Sequence, residues 1–179
     1  DASRDADMVA LDLDTGDEVW RVEVGAHITG PVTWANGVLY VSDDSGRIAA
    51  YDAADGARLW SFDVPFPAAG GIAVVDGVIY IESALGNLVA VDGKTGATQW
   101  KYTTPFGSLT RRGVAVAKDL GLVYTLANDN RLVALNKDTG EVMWIKQYPP
   151  SSDPGYVGNV EKVALVYHDR RLYIGTNDG

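Results

Sequence analysis

The chain contains no cysteine, which excludes disulfides, thiolate metal sites and cysteine nucleophiles and fits a cytoplasmic and a periplasmic location equally well. Histidine is nearly absent too: His27 and His168 are the only two. Neither stands in a recurring pattern with Ser and Asp, so a Ser-His-Asp hydrolase has no support, and zinc would lack nitrogen ligands. Positive charge is scarce, with 15 Lys plus Arg against 24 Asp plus Glu and a formal net charge of −9. Such a surface repels phosphate backbones, which argues against a nucleic-acid partner. No apolar run approaches the roughly 18 to 20 residues of a helical membrane span. A basic and apolar leader is also missing, and the first residue is Asp1 rather than Met. A mature product, a trimmed one and a piece of a longer chain all remain open on that count.

What the sequence has in abundance is repetition. Trp20, Trp60 and Trp100 are spaced by 40 residues, and Trp144 follows after 44. Tyr40, Tyr80, Tyr124 and Tyr173 keep a similar rhythm. Four residues before each of these Trp stands a Gly (Gly16, Gly56, Gly96, Gly140), and four before that an Asp or Asn (Asp12, Asp52, Asp92, Asn136). A fixed period of about 40 to 45 residues marks a repeat architecture whose units bury their apolar faces on one another.

Each unit alternates apolar and polar residues in short runs rich in Val, Ile, Leu and Tyr, broken by Gly, Asn and Asp. That is the pattern of strands and tight turns. One unit reads "GPVTWANG", "VLYVSDDSG", "RIAAYDAADG", "ARLWSFDV", four antiparallel strands and therefore one blade of a β-propeller. The predicted fold is all-β: one propeller domain over residues 1–179 with four four-stranded blades. Three span about 30–65, 70–104 and 112–148, and the fourth joins 160–179 to 6–24 from the other end of the chain. Such a set is either a small closed ring or an arc of a larger one.

The Asp that opens each last hairpin is placed to accept backbone N–H bonds in an Asx-type turn, with Gly taking the left-handed corner. A Trp at a fixed offset suits a wedge between blades, its ring filling space and its N–H reaching a neighbouring backbone. The residues expected in this structural role are Trp20, Trp60, Trp100 and Trp144. The Tyr at the matching inner position of each blade is expected in the core.

The run Ala-x-Asp-x-x-Thr-Gly-x-x-x-Trp, complete at Ala10–Trp20 and Ala90–Trp100, resembles the tryptophan-docking motif of the PQQ-like propeller repeat. The second and fourth copies depart from it once each, at Asp55 and Asn136. This resemblance covers nearly the whole chain. It implies one of two functions: a non-catalytic binding or assembly scaffold of the BamB type, or part of a quinoprotein dehydrogenase oxidising an alcohol or sugar with PQQ and calcium. Members of the family work mostly outside the cytoplasm, which implies a periplasmic or extracellular location. The implied partner is another protein or a second copy completing an eight-bladed ring.

The stretch beginning "RRGVAVAKDLG" is similar to a quinoprotein segment whose Arg contacts the quinone, and this resemblance assigns the cofactor-binding role to Arg112. Phe106 and Gly107 stand where the family often has a cysteine pair, and the acidic calcium ligand is not recognisable after Ile174. Asp43-Asp44-Ser45, Asn128-Asp129-Asn130 and Asn177-Asp178 carry oxygen ligands of the kind calcium accepts. All three clusters fall in hairpin positions where turn formation demands the same residue types.

Overall fold

The computed structural model describes residues 6–25, 27, 28, 30–64, 68–83, 85–106, 113–127, 131–147 and 165–174. Among them run sixteen strands and one 3-10 turn at Lys118–Leu120. Twelve strands form three four-stranded antiparallel sheets. The first blade holds β3 (Thr33–Ala35), β4 (Val38–Ser42), β5 (Arg47–Asp52) and β6 (Arg58–Asp63). The second holds β7 (Ala68–Val75), β8 (Val78–Ser83), β9 (Asn87–Asp92) and β10 (Thr98–Thr103). The third holds β11 (Ala115–Ala117), β12 (Leu122–Leu126), β13 (Arg131–Asn136) and β14 (Val142–Gln147). Each blade runs in simple up-and-down order, the topology that two-residue hairpins dictate.

The turns explain themselves from sequence. Asn36-Gly37 and Asp76-Gly77 both hold positive φ at the two central positions, the geometry that lets a two-residue hairpin follow the strand twist. Strands β5, β9 and β13 carry unbroken buried runs, Ile48–Tyr51, Leu88–Val91 and Leu132–Leu135. A strand covered on both faces loses the alternation of a half-exposed one. Blades therefore stack face to face. One cluster, containing Ile48, Ile79, Ile81 and Val91, fills the space between the first two blades. Another, with Leu88, Val123, Val133 and Leu135, fills the space between the second and third. Each such side chain contributes about 1.5–3 kcal/mol on burial, more than the roughly 1 kcal/mol of a typical hydrogen bond. The apolar layers thus hold the blades together, and the polar contacts described below set their relative placement.

Strands β1 (Asp7–Leu11) and β2 (Glu18–Glu23) form one two-stranded sheet, and β15 (Leu165–His168) and β16 (Arg171–Ile174) another. These are the two halves of a fourth blade, and no ladder joins them among the described residues. Met8, Val24, Trp20 and Val22 pack with Val41 and Tyr51 of the first blade. Leu165, Tyr167, Leu172 and Ile174 pack instead with Ala115, Tyr124 and Leu132 of the third. Each half-blade is thus seated on a different complete blade, the β1–β2 half on the first and the β15–β16 half on the third. Among the described residues the propeller thus has three complete blades and two half-blades.

Candidate functional site

The contact between blades is built by the last hairpin of each repeat. Asp12 Oδ1 accepts the backbone N–H groups of Asp14 and Thr15, both at 2.9 Å, and Asp92 Oδ1 does the same for Lys94 and Thr95. These bonds hold both carboxyls below the usual carboxylate range. The backbone N–H of Thr15 acts most strongly on Asp12, and the hydroxyl of Thr95 on Asp92. The two sequence departures keep the mechanics. Asn136 Oδ1 accepts from Asp138 and Thr139. Asp55 Oδ1 accepts from Ala57 N–H, as Thr95 Oγ1 accepts from Ala97 N–H.

A β-bulge then re-aims the Trp. Register slips at Ala10/Leu11, Ala50/Tyr51, Thr98/Trp100 and Ala134/Leu135, the local kink an extra residue produces. Trp20 Nε1–H donates to the Ala53 carbonyl of the first blade at 3.2 Å. Trp100 Nε1–H donates to the Lys137 carbonyl of the third blade at 2.8 Å, and the Tyr80 hydroxyl reaches the same oxygen at 3.3 Å. Each ring lies on the glycine of the next repeat. A Cβ on Gly56 would stand 2.7 Å from Trp20 Cε3, and one on Gly140 2.6 Å from Trp100 Cε3. At the intervening junction Phe62 covers Gly96, and Trp60 stacks on Phe62 with ring centroids 5.0 Å apart. Trp144, at the open side of the third blade, is 40% exposed where Trp100 is 8%.

The second candidate region is the mouth of the arc, where loops lead into the innermost strands. Thr33 Oγ1 donates to the Ile72 carbonyl at 2.7 Å, joining the first two blades. A Cβ on Gly71 would lie 3.6 Å from Gly113 Cα and 3.6 Å from Pro31 Cγ, so three successive blades meet there through their smallest or most rigid residues. Behind them sits a fully buried acid, Glu82. Its Oε1 accepts the Thr125 hydroxyl at 2.6 Å and its Oε2 the Gly113 N–H at 3.2 Å. Nearby, the Arg131 guanidinium lies 4.0 Å over the Phe106 ring.

Residues 4–179 match the family described as Outer membrane protein assembly factor BamB. The chain belongs to this PQQ-like propeller family. No curated protein sequence matches it. Among solved structures, BamB from Moraxella catarrhalis superposes with a TM-score of 0.74 at 23% identity, covering 97% of this chain and 50% of that one. The computationally designed Ika8 protein gives 0.72 at 18%, covering 94% and 49%. Quinohemoprotein alcohol dehydrogenase ADHIIG from Pseudomonas putida HK5 gives 0.68 at 20%, covering 96% and 36%. At these identities the likeness shows the fold alone. The chain spans about half the length of that BamB chain.

Arg112 lies outside the described residues, as do Asn128-Asp129-Asn130 and Asn177-Asp178. The buried Asp43 spends Oδ1 on the N–H groups of Ser45 and Arg47 and on the Ser45 hydroxyl, which is turn chemistry. His27 and His168 are exposed. Among the described residues no group of three or more His, Cys, Asp or Glu side chains gathers as metal ligands would. The acid at the mouth, Glu82, has both oxygens engaged within the protein.

Two features escaped the sequence reading. An acid breaking the apolar run "VIYIES" was the signal for Glu82. Trp34, the fifth Trp, stands outside the 40-residue period and is 66% exposed on the innermost strand of the first blade.

Proposed function

We propose that this chain is a non-catalytic scaffold that presents a rigid propeller surface to a protein partner outside the cytoplasm. The observation that carries this reading is the engagement of Glu82 by Thr125 and Gly113. The polar groups described at the mouth stabilise blade placement instead of standing free for a ligand. Membership of a family described by outer membrane assembly supports the periplasmic or extracellular location, and among the described residues no helix is long and apolar enough to cross a membrane. Trp34 is the exposed aromatic best suited to anchor a partner.

The runner-up is a piece of a PQQ- and calcium-dependent alcohol or sugar dehydrogenase. It is favoured by the likeness to ADHIIG together with the "RRGVAVAKDLG" segment, in which Arg112 would meet the quinone carboxylates as a fixed bidentate cation. Titration of the folded chain with PQQ and calcium, followed by tryptophan fluorescence, separates the two. The scaffold reading expects no saturable change. Saturable binding that Arg112→Ala abolishes would establish the dehydrogenase reading.

A further inference from the structure

We propose that the open face bearing Trp144 and the edge of β16 receive the β1–β2 hairpin of a second copy of this chain, so that two arcs close one ring. The junctions within the chain define what the open face lacks. Trp20 and Trp100 each donate to a carbonyl one residue after the Asp or Asn of the next hairpin, and each ring covers the Gly three residues further on. At the third blade the same apparatus is built and has no counterpart among the described residues. Tyr124 and Trp144 hold the tilted pair seen in Tyr80 and Trp100, with centroids 5.7 Å and 6.0 Å apart. Every residue of β14 is exposed.

The β1–β2 hairpin carries the complementary half. Leu13, whose position matches Ala53 and Lys137, is 99% exposed. Gly16, which matches Gly56 and Gly140, holds φ +76 with nothing within 4 Å of its would-be Cβ. The turn that receives a Trp at Gly56 and Gly140, and Phe62 at Gly96, is thus formed here and uncovered. Its Asp12, Thr15 and Gly16 already adopt the closed geometry, so docking needs little reordering.

Strand register points to the same occupant. In all three complete blades the second and third strands pair a Tyr with an Ala: Tyr40 with Ala50, Tyr80 with Ala90, Tyr124 with Ala134. The same rule sets Tyr173 of β16 opposite Ala10 of a second copy's β1, and Arg171 opposite its Asp12. The equivalent pairs are Val38 with Asp52, Val78 with Asp92 and Leu122 with Asn136. Only the new junction sets opposite charges face to face, a favourable cross-strand arrangement. The outcome is a four-stranded blade ordered β15, β16, β1, β2, the last two from the other copy. Because each copy gives and receives one hairpin, a two-fold axis relates two identical junctions and the assembly closes. It also removes the free strand edges that would otherwise invite open-ended association.

Sedimentation equilibrium of the full chain over a wide concentration range tests this. The expected result is a monomer–dimer equilibrium ending at twice the chain mass of 19.1 kDa. Trp144→Ala and Gly16→Val are each expected to weaken the dimer by at least about a hundredfold, as loss of a central aromatic contact does. An equal mixture of the two variants regains one native junction and should associate more tightly than either alone, which mere misfolding would not produce. Circular dichroism melts of the dilute variants confirm that the arc itself is intact. A monomer at every concentration overturns the proposal and leaves the surface to a different hairpin. An open-ended series of oligomers also overturns it, because the arcs would then fail to close.

Discussion

The indole of Trp100 lies against the α-carbon of Gly140 in the next blade, so close that a Cβ there would come within 2.6 Å of Cε3. Gly140 is therefore required twice, once for its φ of +73 and once for its missing side chain. Only the first requirement is visible in a turn considered alone.

Gly140→Ala should accordingly destabilise the chain by about 2–4 kcal/mol, combining a left-handed penalty with overpacking against a ring that has no room to retreat. Gly16→Ala shares the dihedral problem, with φ +76, but meets empty space. In dilute solution it should cost only about 1 kcal/mol. Urea denaturation of the two variants checks the contrast, and equal costs would show that the ring contact contributes nothing.

Glu82 offers a second test. Glu82→Leu would strand the buried Thr125 hydroxyl and leave the partly buried Gly113 N–H without its carboxylate, at a cost of about 2–4 kcal/mol. Glu82→Gln keeps the shape and one carbonyl acceptor and should cost about 1 kcal/mol. Chemical denaturation of both variants measures the order, and a Leu variant as stable as the parent would remove Glu82 from the polar framework.

Alkaline pH should weaken the junction between the second and third blades. Burial foremost, then the charges of Asp138 and Asp76, pushes the Tyr80 hydroxyl from its ordinary 10.0 up to about 12. Between these values the folded chain retains a proton that the unfolded chain releases, so stability is fully present below pH 10 and falls as pH rises toward 12. Thermal melts across this window should show a decline that Tyr80→Phe makes shallower. Tyr40, Tyr51 and Tyr124, raised by burial as well, keep the remaining slope.

Much of this organisation is legible in the residues themselves. The spacing of Trp20, Trp60, Trp100 and Trp144 marks the blades, and four strands for each of four blades agrees with the sixteen among the described residues. Asp55 and Asn136 could be read as tolerable departures because a carboxylate or an amide oxygen accepts the same N–H bonds as the residue it replaces. What stayed hidden depends on neighbours distant in sequence. Phe62 takes the place over Gly96 that an indole holds over Gly56 and Gly140, and nothing in "RLWSF" ranks one ring above the other. The separation of β1–β2 from β15–β16 was likewise hidden, because complementary half-blades read the same whether they meet within one chain or between two. The mouth was least legible: a buried acid in an apolar strand announces a partner without naming it.

A Trp N–H held on a neighbouring carbonyl, with its ring over glycine, joins two of the three described junctions, and Trp144 carries an unfilled copy of it. Hydrogen exchange of the indole N–H groups, followed by NMR at low and high chain concentration, tests this most directly. Trp20 and Trp100 should exchange slowly throughout and Trp34 rapidly throughout, while Trp144 should pass from rapid to slow as concentration rises. Exchange at Trp144 that ignores concentration, or exchange at Trp100 as rapid as at Trp34, would contradict it.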